Sequence, residues 1–223
     1  MFVPLPVRMH DGREFQAVPV ANSILITANV LIFWFGWHPV VGPGTGVLSI
    51  LAYSFGHSSV MHLCGNMLAL FVFGSPLNRR VGNGWYLLTY LGSALTIGLF
   101  VRLFVSGYMI GASGAIFAVI AMAVILMPSA RIDVAYFAMF PTTLIIGLIQ
   151  PPPHWALWFI RWDMFRVRAW WGLFLVPLLE VWGLWSHGWN WTNLGHLFGL
   201  LCGVAAVLIM PKQITLSRRW STA

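Results

Sequence analysis

The chain has 223 residues, of which 59% are hydrophobic and 8% charged, with a formal net charge of +7. A soluble domain carries roughly 25% charged residues, so this chain lacks the polar surface needed to live in water and reads as an integral membrane protein. The basic balance fits attraction to an anionic leaflet, and nucleic acid is not an expected partner.

A bilayer forces every backbone polar group to pair internally, which leaves helices or a closed barrel. The apolar runs are continuous and lack barrel-type alternation, so the expected fold is all-α, a polytopic bundle of six transmembrane helices. Residues 1–16, including "MHDGREFQ", form a short polar N-terminal segment. The first run, 18–36, is too long for a signal-peptide core and is expected to be retained as a span. Further spans are expected at 60–77, 85–105 and 113–128, each near the ~20 residues that cross the hydrocarbon core.

Residues 129–168 resist that pattern. Apolar "VAYFAMFPTTLIIGLI" is followed by "QPPPHW" and the basic aromatic stretch "WFIRWDMFRVRAWW". A single extra span here would invert everything downstream. The expectation is therefore an elaborated cytoplasmic loop in the membrane interface, either lying along it or folded as a re-entrant hairpin around Pro151 to Pro153, with extra spans as the alternative. Spans at 169–186 and 192–210 follow, then a tail at 212–223, so that 17–211 form a single membrane domain. With six spans, eleven of the 12 Lys and Arg residues share one side and only Arg102 lies opposite. Basic residues favour the cytoplasm, so both termini are expected there. Cys64 and Cys202 fall inside spans and read as small packing residues.

Polar groups inside spans are costly and point to function. In the second span, "HSSVMHLCGNML" sets His62 and Asn66 four residues apart, on one helical face. In the fourth, "IGASGAIFAV" puts Ser113 beside Gly114 at a helix entrance. In the sixth, "NLGHLFGLLCGV" sets His196 beside a stripe of Gly195, Gly199 and Gly203 that lets another helix approach closely. All three spans run inward, so Ser113, His196, His62 and Asn66 arrive at similar depth near the outer face.

That grouping suits acyl transfer. A serine hydroxyl needs a base, and a neutral histidine can take its proton and return it to a leaving amine. The Ser113 backbone N–H at a helix N-terminus, Asn66 and His62 offer donors for the oxyanion. Of the five acids, Asp11, Glu14, Asp133, Asp163 and Glu180, only Glu180 lies in a span. None is clearly placed to orient His196, so a Ser–His dyad is expected rather than a triad.

At these residues the chain resembles the rhomboid family of intramembrane serine proteases, through "HLCGN", "GASG" (Gly111 to Gly114) and "GHLFGLLCG" in order, over most of the chain from about residue 53 onward. The resemblance implies Ser113 as nucleophile, His196 as general base, and His62 and Asn66 as oxyanion contributors, with Gly111, Gly114 and Gly199 in support. It also implies that Phe117 packs against the histidine. The implied substrates are transmembrane proteins in the lipid bilayer, with no cofactor and no metal. Asn78 departs from the family, standing where a glutamate often braces the structure before a glycine, here Gly82. A metal site built from His57, His62 and His196 lacks an added carboxylate or thiolate, and no His-Glu-x-x-His helix occurs. The rival from another class is a catalytically silent rhomboid-like scaffold or chaperone that binds transmembrane segments. The compact six-span form suggests a prokaryotic plasma membrane.

Overall fold

The structure is a computed structural model that describes residues 2–10, 18–187 and 190–212. Asp11, Arg13, Glu14, Arg218 and Arg219 lie outside the described residues. Nine α-helices occur among the described residues: α1 (Val20–Trp34), α2 (Ser49–Ala52), α3 (Val60–Ala69), α4 (Ser75–Val81), α5 (Asn83–Phe104), α6 (Ser113–Leu126), α7 (Thr142–Ile149), α8 (Gly172–His187) and α9 (Trp191–Ile209). A π-helical turn at Leu70–Gly74 joins α3 to α4 in one helix, Val60–Val81. Val60–Val81, Asn83–Phe104, Ala169–Ser186 and Trp191–Ile209 are long and apolar enough to cross a membrane, while Val20–Trp34 and Ser113–Leu126 are apolar but shorter.

Helix α6 is the axis of the bundle. It is apolar all round, as a helix enclosed by others must be, and Ala115, Ile116, Ala118, Val119 and Met122 are buried along it. Its main partner is α9, with α5 and α8 also against it. The α6–α9 contact depends on the glycine stripe. A Cβ at Gly199 would overlap the Gly114 carbonyl oxygen, and one at Gly203 would overlap that of Ala118. The two backbones are therefore closer than any side chain permits.

The all-α expectation needs correction. Three strands, β1 (Phe2–His10), β2 (Arg131–Met139) and β3 (Ile160–Arg168), form an antiparallel sheet in the order β1-β2-β3. β1 runs from Phe2↔Ala138 to His10↔Arg131, slipping register between Pro6 and Arg8, and β3 pairs from Arg131↔Arg168 to Met139↔Ile160. β2 has the period-two pattern of a half-buried strand, with Ile132, Val134, Tyr136 and Ala138 inward. Pro4 and Pro6 are tolerated because β1 is an edge strand. The N-terminal segment and the 129–168 region thus build one unit. In place of a re-entrant hairpin around Pro151 to Pro153, α7 and a short 3₁₀ turn at Trp155–Trp158 link β2 to β3. Met9, Ile132, Val134 and Ala169 tie this unit into the bundle core. Arg8, Arg131, Arg161, Arg166 and Arg168 all lie on its strands.

Asn78 still braces its helix end. Its Oδ1 accepts from the Asn22 N–H at 3.0 Å and its Nδ2 donates to Asn83 Oδ1 at 2.9 Å. Asn22 in turn donates to Ser75 Oγ and the Leu70 carbonyl, and accepts from Tyr86 Oη. Gly82 closes α4 at φ +84°, a conformation that favours glycine.

Candidate active site

Ser113 is the first residue of α6. The amides of a helix's first turn have no intrahelical acceptor and share the positive end of the helix dipole. The approach to it, Met109 to Ala112, is pinned by two backbone anchors: Met109 exchanges bonds with Val41, and the Gly111 N–H donates to the Tyr53 carbonyl at 3.0 Å. Gly111 has φ +120°, and a Cβ there would stand 2.7 Å from His62 Cε1. A glycine is therefore required twice over, by its backbone conformation and by the close approach of the imidazole.

His196 lies one turn into α9 and faces Ser113 across a cavity of about 100 Å³, walled by Tyr108, Met109, Ile110, Gly114, Thr192 and Gly195 together with those two residues. The Phe117 ring stacks on the imidazole with centroids 4.1 Å apart and planes 8° from parallel. The two ring nitrogens differ sharply. Nδ1 is 3.0 Å from Glu180 Oε2 on α8, whereas Nε2 is buried without a hydrogen-bond partner among the described residues.

The Glu180 contact corrects the expectation that no carboxylate orients His196. Glu180 Oε2 also accepts from Asn193 Nδ2 at 2.7 Å. Its signal in the sequence was present but incomplete: the only acid inside an apolar span, with the turn of α8 that faces α9 left undetermined.

His62 and Asn66 lie on α3, beside Gly111. A Cβ at Gly111 would be 2.8 Å from His62 Nε2 and 3.9 Å from Asn66 Nδ2, so both side chains point at the backbone two residues before Ser113. The N–H and Oγ of Ser58 approach His62 Nδ1 at 3.5 and 3.1 Å. An Nδ1 that accepts from an N–H leaves the proton on Nε2, which then becomes a donor aimed at Gly111. Asn66 Nδ2 is held 3.0 Å from Nε2 of the buried His57. His57 was assigned no chemical role from sequence, and it proves to be the partner that fixes the asparagine.

No group of three or more His, Cys, Asp or Glu side chains suited to hold a metal ion occurs among the described residues. Cys64 and Cys202 are free thiols, Cys64 on an exposed face.

Residues 44–213 match the family described as the rhomboid domain. The chain is also 31% identical over 145 residues to "Rhomboid protein 1, mitochondrial" of Saccharomyces cerevisiae. That match covers 62% of this chain and 42% of the yeast protein, so the chain spans less than half of that relative's length. The relative's name places it in mitochondria, and the expectation of a prokaryotic plasma membrane draws no support from it.

Proposed function

The chain belongs to the rhomboid family and is an integral membrane protein, and from that premise we propose that it is an intramembrane serine endopeptidase acting on transmembrane segments of other proteins. One observation carries the reading. The Nε2 atom of His196 is buried with no hydrogen-bond partner among the described residues, and His196 and Ser113 line the same small cavity. An unpartnered buried nitrogen costs free energy, and a proton from an approaching hydroxyl is what would satisfy it. The apolar helix Ser113–Leu126 has 14 residues. It is about 21 Å long, short of the ~30 Å hydrocarbon core, which leaves room for its head to start below the membrane surface.

The chemistry then runs in balanced steps. Ser113 Oγ attacks the scissile carbonyl carbon while its proton passes to His196 Nε2. The resulting oxyanion meets the Ser113 N–H, with Asn66 Nδ2 and His62 Nε2 as further donors. Collapse breaks the C–N bond, and Nε2–H returns its proton to the leaving amine, leaving an ester on Ser113. Water gives a proton to Nε2 and attacks that ester, and Ser113 Oγ departs with the proton. Peptide bonds in an intact helix are shielded, so the substrate segment unwinds before attack. Six spans, both termini on the cytoplasmic side and cleavage near the outer face complete the proposed topology.

The second reading is the silent scaffold. It draws on the absence of a Ser113–His196 hydrogen bond in the resting geometry. Catalytic hydrogen bonds often tighten only once substrate is bound, so the missing bond does not count against the protease.

The test is cleavage of a panel of transmembrane reporters by purified protein in detergent, wild type against Ser113→Ala. Cleavage by the wild type alone is the expected result. A folded wild type that cleaves none, or cleavage that survives Ser113→Ala, would contradict the reading.

A further inference from the structure

A carboxylate inside an apolar helix is expensive unless it is partnered. Glu180 is the only acid in α8, and both of its bonds reach across to α9: Oε2 accepts from Asn193 Nδ2 at 2.7 Å and lies 3.0 Å from His196 Nδ1. The side chains of Glu180 and His196 are 13% and 16% exposed, so the contact is largely shielded from water. Gly183, one turn further along α8, clears the space for Asn193, since a Cβ there would lie 2.6 Å from Asn193 Nδ2. The sequence therefore provides both the carboxylate and the room for its second partner.

A carboxylate only accepts hydrogen bonds. A neutral His196 beside it carries its proton on Nδ1, and Nε2, the nitrogen turned away from Glu180, is left as a bare lone pair. Phe117, stacked on the ring face, stops tilt but leaves rotation in the ring plane and the choice of tautomer open. Glu180 removes both freedoms. We propose that Glu180 is the positioning residue for His196, holding the imidazole in the tautomer and orientation that take the Ser113 proton, so that the site works as a Ser113–His196–Glu180 relay assembled from three helices. This rests on the protease reading for its kinetic consequence, but the restraint on His196 stands apart from it.

The restraint also has a structural dependence. Only 6% of the α8 apolar window is buried, against 22% to 44% for the other three long candidate spans. The least enclosed span thus carries the group that orients the histidine, and movement of α8 away from α9 releases it.

The experiment compares Glu180→Gln and Glu180→Asp with wild type on a cleavable reporter, and follows His196 by ¹⁵N-histidine NMR in the same detergent. Gln keeps the shape but presents an amide that can donate as well as accept, so both tautomers become available. Loss of the corresponding carboxylate partner in a soluble serine protease costs about 10⁴-fold in kcat. Here the carboxylate is shared with Asn193 and the ring is also stacked, so the expected fall for Glu180→Gln is about 10²-fold, with KM within about twofold because substrate binding is untouched. Glu180→Asp, which keeps the charge but is one methylene shorter, recovers part of kcat. The NMR shows wild-type His196 protonated on Nδ1 and a mixed population in Glu180→Gln. Wild-type kcat in Glu180→Gln, or a fall in kcat fully accounted for by a smaller folded fraction, would overturn the proposal. So would a wild-type His196 protonated on Nε2. If the wild type cleaves nothing while the tautomer still depends on Glu180, the protease reading fails and the restraint survives.

Discussion

The two ends of α6 solve opposite problems. At its head, Ser113, His196, Glu180, Asn66 and His57 are drawn from four helices and a loop into a mostly enclosed polar cluster. At its foot, the chain leaves through Met127 into a sheet whose strands carry five arginines, with Asp133 bonded to Arg166 at 2.6 Å and to His10 at 3.0 Å. Polar groups at the head are few, largely shielded and individually placed, so under the proposed function each carries a large share of the chemistry. At the foot, His10 and Arg166 are 43% and 56% exposed, so water screens their pairs with Asp133. One helix joins the two ends, but substitutions at each should have different consequences.

The sharpest contrast is His196→Ala. Cleavage should fall by about 10⁴-fold or more, as for removal of the base in soluble serine proteases, with thermal unfolding in detergent close to wild type. A large loss of stability instead would make His196 a structural residue and erase the distinction. Asn66→Ala comes next. Removal of one oxyanion donor costs about 10²–10³ in kcat, measured on the same reporter with KM little changed. A KM effect alone would move Asn66 from the oxyanion to substrate binding.

Phe117→Leu keeps the apolar bulk but loses the stack on His196, and aromatic pairs of this kind are worth about 0.5–1.5 kcal/mol. A kcat reduced by up to about tenfold is expected, and no change would mean that Glu180 alone holds the ring.

The foot gives the smallest effect. Asp133→Asn should leave cleavage unchanged and lower stability by less than about 1 kcal/mol. Hydrogen bonding from Arg166, with a smaller contribution from His10, holds the Asp133 carboxyl below its usual range. A carboxyl depressed in the folded state contributes its full stability above about pH 3.9 and loses it as the pH falls through the folded value. Unfolding measured against pH should therefore show a constant gap between Asp133→Asn and wild type near neutrality that closes in acid. A gap that widened in acid would mean that Asp133 makes no favourable pair.

The same contrast explains what the sequence revealed. The head was legible because its signals are local: His62 and Asn66 one turn apart, a serine beside a glycine, a histidine on a glycine stripe, each conspicuous against apolar surroundings. The helices at Val60–Val81, Asn83–Phe104 and Trp191–Ile209 lie within a few residues of the apolar runs for the same reason. Glu180 was visible as an acid in a span, but its partner depends on how α8 is rotated against α9, a tertiary fact that no local spacing encodes. The sheet was hidden for a different reason. In "VAYFAMF" the positions between the buried ones are also apolar, which hides the alternation of β2 inside a continuous run. Its partner β1 lies more than a hundred residues upstream, so that His10 meets Asp133 across 123 positions. Pro4 and Pro6 further argue against a strand until its place at the sheet edge is known.

The central claim is that His196 activates Ser113 in the enclosed cavity, and fluorophosphonate labelling measures that directly without knowledge of any substrate. Folded wild type should be labelled at Ser113, while Ser113→Ala should not react and His196→Ala should react only at the rate of an ordinary serine. Wild type that labels no faster than His196→Ala would contradict the account.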